Sequence, residues 1–293
     1  MVTNRHAYLI LVHNQPRLLQ VLIDMIDDER NDIYIHVDKK ANRSQLDRIH
    51  AEKSRIEYTN RVSIYWGNYS MIEAEYILLK TAQNSGPYLY YHLLSGVDLP
   101  LKTQDEIHHF FEIHAGKEFV GYAENQSINH CVRYFYLFDR YFRSRTILSK
   151  ALSQLRNYVL VLQSKLGVWR HKEMTFYKGA QWFSITDGLC RYLIQNETYI
   201  RKLYRMTLNP DESFVQTIIR NSPFYERVYD KNDEFKSCMR LIDWERNPQS
   251  SSPHTWTHED WDELTQSDRL FARKFSEDDM DFICRLKDYV LNS

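Results

Sequence analysis

Short, wholly apolar runs that end on polar residues, separated by stretches with helical spacing, constrain this chain more than any other feature, because that alternation specifies an α/β sheet. Residues 7–12 (AYLILV) are followed by His13 and Asn14, and Leu18, Leu19, Leu22, Met25 and Ile26 then recur at helical intervals. Residues 32–37 (DIYIHV) form a second strand pattern closed by Asp38, Lys39 and Lys40, and 56–59 and 62–65 are weaker strand patterns. A helix is expected over about 71–80, and the aromatic-rich run 88–94 reads as a central buried strand. Further strands are expected at 118–123 and 181–185, and a helix at about 188–195. Thr103-x-x-Glu106 has the form of a capping box opening a helix to His114. Asn209-Pro210-Asp211-Glu212 reads as the start of another helix, running to about Arg220. The expected fold is α/β, a mostly parallel central sheet flanked by helices.

Open α/β sheets bind ligands at the carboxyl ends of their strands, so the residues after each strand are the candidates for chemistry. These are His13 and Asn14, Asp38 to Lys40, Tyr65 to Gly67, and Ser95 to Asp98. Neither G-x-G-x-x-G nor G-x-x-x-x-G-K-[ST] occurs, which argues against a dinucleotide dehydrogenase or a P-loop NTPase. Two D-x-D strings, Asp260-Trp261-Asp262 and Asp279-Met280-Asp281, follow no buried strand and read as solvated helix or loop, and the twelve histidines show no ligand spacing on a common face. No metal is indicated.

The net charge is −1, which gives no global drive toward nucleic acid. Low glycine and proline with 43% hydrophobic residues exclude collagen-like and disordered chains. Charge is nevertheless local: residues 132–172 carry nine basic residues against Asp139, whereas 257–281 carry nine acids against Arg269, Arg273 and Lys274. The basic segment, with an apolar stripe through Ile147, Leu148, Ala151, Leu152, Leu155, Val159 and Leu162, faces either phosphates or an anionic membrane, or is a solvated helix with its basic residues outward. Four widely spaced cysteines without a C-x-x-C pair suit a reducing compartment, and no apolar run suits a signal peptide or a membrane span. A soluble cytoplasmic protein is expected, with a peripheral contact at the inner face of the membrane. One unit over 1–293 is expected: an α/β half at 1–123, a basic helical part at 124–227, and a C-terminal extension at 228–293.

Six segments in order, 7–14 (AYLILVHN), 35–40 (IHVDKK), 91–102 (YHLLSGVDLPLK), 178–184 (KGAQWFS), 210–214 (PDESF) and 270–275 (LFARKF), resemble the core 2/I-branching β-1,6-N-acetylglucosaminyltransferases, a family that includes the peptide O-xylosyltransferases. They cover nearly the whole chain, and without an anchor it resembles a soluble bacterial-type member. The resemblance implies a GT-A-type nucleotide-diphosphosugar fold and an inverting glycosyltransferase that moves N-acetylglucosamine from UDP-N-acetylglucosamine to a glycan hydroxyl, expected to be O6, in bacterial surface polysaccharide synthesis. It implies no cofactor and no divalent metal. The partners implied are a UDP-sugar and a glycan or lipid-linked oligosaccharide, with no nucleic acid. UDP-xylose or UDP-glucose as donor, or a non-catalytic glycan-binding protein on the same fold, are the alternatives.

By motif position, Glu212 corresponds to the catalytic base, although a helix cap at its N3 position is the rival reading. Arg240 and Lys274 correspond to the cations that meet the departing diphosphate, with Arg273 the confounding neighbour. Asp38 and Tyr65 match positions that contact the uridine nucleotide, Asp38 having a turn paired with Lys39 or Lys40 as its alternative; His13 and Asp98 join them on the donor side. Gln181 and Trp182 match the acceptor side, where an indole can cover a sugar ring or simply fill the core.

Overall fold

The apolar runs become a six-stranded sheet in the computed structural model, which describes residues 4–123, 127–137, 147–247, 249–250 and 252–293. Its strands are β1 (His6–Val12), β2 (Asn31–Val37), β3 (Arg55–Tyr58), β4 (Tyr90–Ser95), β6 (Phe119–Val120) and β7 (Phe183–Thr186), in the spatial order β3-β2-β1-β4-β7-β6. The first four are parallel, and β7 runs antiparallel to both β4 and β6. A second sheet, β5 (Asp98–Pro100), β9 (Phe271–Arg273) and β8 (Arg240–Ile242), places β9 in its middle.

Because successive strand side chains point to opposite faces, β1 feeds two cores: Tyr8, Ile10 and Val12 on one face, Ala7, Leu9 and Leu11 on the other. The first face is covered by the helices Pro16–Ile26, Gln104–Ile113 and Met280–Leu291. The second is covered by Ser70–Ser85, Asp187–Gln195 and Phe214–Arg220. Each Leu or Ile fully buried in these layers contributes about 1.5–3 kcal/mol. The capping box forms as expected, with Glu106 N donating to Thr103 Oγ1 and Thr103 N donating to Glu106 Oε2.

Four expectations are corrected. Residues 62–65 are not a strand, because their backbone donors are taken by side chains: Val62 N by His36 Nε2, Ile64 N by Asp38 Oδ1 and Tyr65 N by Ser70 Oγ. The strand expected over 118–123 shrinks to two residues. Asn209 does not cap a long helix; it adopts a left-handed conformation without a side-chain cap, and Pro210–Glu212 is a single 3₁₀ turn separated by Ser213 from the Phe214–Arg220 helix. The D-x-D strings are helix starts, but the first is not solvated as expected: buried Asp260 accepts from Thr257 N and His254 Nε2, while Asp279 accepts from Phe282 N.

Glu118, buried before β6, accepts from Thr186 N and Oγ1 at 2.9 and 2.6 Å and so fixes the residue that caps the Asp187–Gln195 helix. Burial pushes its pKa up to about 7 against these hydrogen bonds. The native state therefore holds this proton more tightly than the unfolded chain, and the associated stability, complete below the unfolded carboxyl range, is lost as pH rises toward 7. Glu118→Gln is expected to shrink the difference in unfolding free energy between pH 5 and pH 8 by roughly 2 kcal/mol, read by urea titration at both pH values.

Candidate functional site

The carboxyl ends of the parallel strands share one edge, and the sequence-predicted residues His13, Asp38, Asp98, Gln181 and Trp182 all stand on it: three after β1, β2 and β4, two before the antiparallel β7. Asp38 N donates to Val12 O, tying the ends of β2 and β1 together. Its carboxylate accepts from Lys40 N at 2.9 Å and lies 3.6 Å from Lys40 Nζ, so the turn reading of Asp38 describes its contacts here. Lys40 also reaches over the Tyr65 ring at 4.4 Å, which brings the two nucleotide candidates to one wall. His13 stands exposed between them and the next strand. Crowding by the protein lowers its pKa; Asp38 opposes this, while Lys40 and Arg273 reinforce it.

Asp98 is buried, accepting from Ser95 N at 2.8 Å and from Arg273 Nη1 at 2.7 Å, an arrangement fixed by the antiparallel β5–β9 register. Burial raises its pKa and Arg273 opposes the shift. The Arg273 guanidinium also lies over the Trp182 ring at 4.3 Å, so this indole, 8% exposed, is roofed by a cation and packed as a wall residue. Lys274, half-exposed, donates to Ser252 Oγ at 2.8 Å; desolvation and then Arg273 lower its pKa.

Arg240 stands elsewhere. Only 1% exposed, it lies beneath the edge over the Phe271 ring and donates to Cys238 O, Phe183 O and Ser184 Oγ. In this conformation Arg273 and Lys274 are partly exposed here, whereas Arg240 is buried among its own backbone and ring contacts.

Glu212 is carried by the 3₁₀ turn and faces Lys178, whose Nζ lies 3.7 Å from Glu212 Oε2. Its backbone carbonyl accepts from Gly179 N at 2.9 Å, locking the turn to the 178–182 segment. That segment is held in turn by buried Gln216, whose Nε2 donates to Ala180 O and Gly121 O. Burial raises the Glu212 pKa and Lys178 opposes the shift. Two deeper carboxyls surround it. Gln181 Nε2 donates to Glu75 Oε1 at 2.7 Å, while Glu75 Oε2 and Asp211 Oδ1 are buried without a partner among the described residues. Burial, then Asp211, pushes Glu75 well above the carboxylate range; burial, then Glu212, raises Asp211. Burial raises all three, and Glu212 is the one that is partly exposed and beside a lysine.

In front of Lys178 opens a cavity of about 560 Å³ lined by aromatic rings (Tyr122, Phe176, Tyr177, Tyr225) and cations (Lys178, Arg220, Lys231). The cavity can bind a polyhydroxylated ligand against its rings, and Glu212, next to the lining residue Lys178, is the neighbouring carboxylate that could take a proton. Among the described residues, no three His, Cys, Asp or Glu side chains form a group that could hold a metal ion. Sequence reasoning missed Glu75, Lys178, Gly179 and Gln216. The signal for Glu75 was its place in the helical stripe Ile72, Glu75, Leu79, Ala82, where a solvent-facing glutamate does not belong.

Polar side chains gathered at the carboxyl edge of a mostly parallel sheet, where open α/β sheets bind their ligands, mark a candidate ligand site. The chain belongs to the Core-2/I-Branching enzyme family, whose profile matches residues 6–268. Xylosyltransferase 2 of Rattus norvegicus is 25% identical over 300 residues, covering 92% of this chain and 32% of the relative. Xylosyltransferase 1 of Homo sapiens is 23% identical over 299 residues, covering 92% and 29%. The chain thus spans about a third of the length of the curated relatives it matches. The crystal structure of mouse xyloside xylosyltransferase 1 in its apo form aligns over 91% of this chain and 97% of that one, at 10% identity and a TM-score of 0.36. All four cysteines are free, and no helix among the described residues is long and apolar enough to cross a membrane.

Proposed function

We propose that this chain is a glycosyltransferase of the GT-A type that moves a sugar from a UDP donor to a hydroxyl of a glycan acceptor, with inversion and without a divalent metal. The observation that carries the reading is Glu212 beside Lys178, a lysine on the wall of a ring-lined cavity, in a chain of this family that also holds Arg273 over Trp182 at the sheet edge. In the reaction the Glu212 carboxylate takes the proton of the acceptor hydroxyl as its oxygen attacks the anomeric carbon. The bond from that carbon to the diphosphate oxygen breaks, and UDP leaves with its growing charge met by Lys274 and Arg273. Asp38, Tyr65 and His13 line the donor's nucleotide side.

N-acetylglucosamine is the first expectation for the donor sugar and a surface-polysaccharide precursor for the acceptor. Xylose is the second reading for the sugar, favoured by the relatives' names. The test is transfer or donor hydrolysis with UDP-N-acetylglucosamine, UDP-xylose and UDP-glucose in EDTA. Activity is expected to persist, and Lys274→Ala to lower kcat/KM by about 10²-fold, in the range for removing one group that stabilises a developing anion. Activity abolished by EDTA and restored by a divalent ion overturns the cation-only reading of the diphosphate site.

A further inference from the structure

The helix Ile147–Lys165 is built inside out. A surface helix of a globular protein turns its apolar stripe to the core, yet here Leu155, Tyr158, Leu162 and Leu166, at intervals of three or four residues, are 45, 66, 41 and 69% exposed. The inward contact is polar: Gln163, buried, accepts from Phe135 N at 2.8 Å and donates to Phe135 O at 3.0 Å, and Ser149, near the start of the same helix, is buried too. The apolar stripe read from the sequence divides, with Leu152 and Val159 half-buried and Leu155 and Leu162 facing outward. A contiguous exposed apolar row on a folded protein marks an interaction surface.

We propose that this outward face is a docking surface for an anionic lipid bilayer. Residues 147–172 contain no Asp or Glu, and Lys150, Lys165 and Lys172 are exposed around the stripe. A leucine and tyrosine row flanked by lysines is the pattern of a helix lying in the interface plane, apolar face among the acyl chains and cations at the headgroups. Trp169, 40% exposed, continues it just past the helix end. Charge selects the partner: two copies of this face would bring lysines against lysines, whereas an anionic leaflet complements them. The helix does not meet the requirements of a membrane span, so it lies on the bilayer.

The contact also orients the cavity. Arg133, beneath Trp169 at 5.1 Å and Phe176 at 5.2 Å, donates to the carbonyls of Arg170, His171 and Met174, so the chain leaving the helix is tied to a wall of the cavity. Only this last consequence, a cavity presented to lipid-linked acceptors, rests on the proposed transfer reaction; the lipid contact stands on the helix.

The test is flotation of the full chain with phosphatidylcholine vesicles, with and without phosphatidylglycerol. Retention on the anionic vesicles is expected at low salt, falling at high salt, and weaker by tenfold or more on neutral ones, each lysine near an anionic surface contributing about fivefold. Leu162→Gln with Leu166→Gln is expected to lose tenfold or more in retention while keeping the circular-dichroism melt and transfer to a short water-soluble acceptor. Failure of that transfer in the unsubstituted protein would bear on the reaction alone. No retention on anionic vesicles at low salt overturns the proposal, as does retention unchanged by the leucine substitutions. A dimer in light scattering that the same substitutions dissolve, without lipid binding, assigns the face to a second copy and overturns it as well.

Discussion

Glu212→Gln is expected to lower kcat by about 10²–10⁴-fold, the range for losing a positioned general base, while donor KM and thermal midpoint stay close to those of the parent. The separation follows from where the side chain sits. Its carboxylate is partly exposed beside Lys178 and caps no helix, so the amide removes the proton acceptor without unpicking the turn, which is held by its own carbonyl on Gly179 N. Burial raises the Glu212 pKa, so the acid limb of the parent's kcat–pH profile lies above the range of an ordinary glutamate: as pH falls through the folded-state value, the base is protonated and turnover is lost. Unchanged kcat in the variant removes Glu212 from the reaction.

Gly179→Ala is expected to do more damage than any substitution of a reacting group. A Cβ at Gly179 would fall 1.9 Å from Gly121 O and 2.8 Å from Gln216 Nε2, and the first of these is backbone. The two strands of chain must separate, which breaks the Gln216 clip and the Gly179–Glu212 hydrogen bond together. A loss of about 3 kcal/mol or more in unfolding free energy is expected from overpacking and broken buried hydrogen bonds, with transfer undetectable even where the protein still folds. Urea unfolding and activity on the same preparation check both; wild-type stability would show that the backbones part without cost.

The parallel half of the sheet was legible because β1 and β2 are short apolar runs with nowhere to go but a two-sided core, and His13 and Asp38 follow at their ends by topology alone. What the sequence left hidden depends on contacts between distant segments. Nothing local marks Val62 N as bound to a histidine ring rather than to a neighbouring strand. Arg240 and Arg273 both lie at strand positions of the second sheet, and only the β8–β9 pairing shows the first going under the edge and the second over Trp182. Asn209 reads as a helix cap until its left-handed backbone, hydrogen-bonded from its N–H to Gly67 O, takes it out of that role.

The second sheet makes assembly of the site a matter of chain order. β9 lies between β5 and β8, and the Asp98–Arg273 ion pair closes across 175 positions of sequence. All six strands of the main sheet have been synthesised by Thr186, well before Arg273 and Lys274. Long-range pairings of this kind form slowly, so the edge carrying His13 and Asp38 assembles ahead of the Arg273–Lys274 pair. Under the proposed reaction, transfer then depends on β9 having docked between β5 and β8, which sets Arg273 against Asp98.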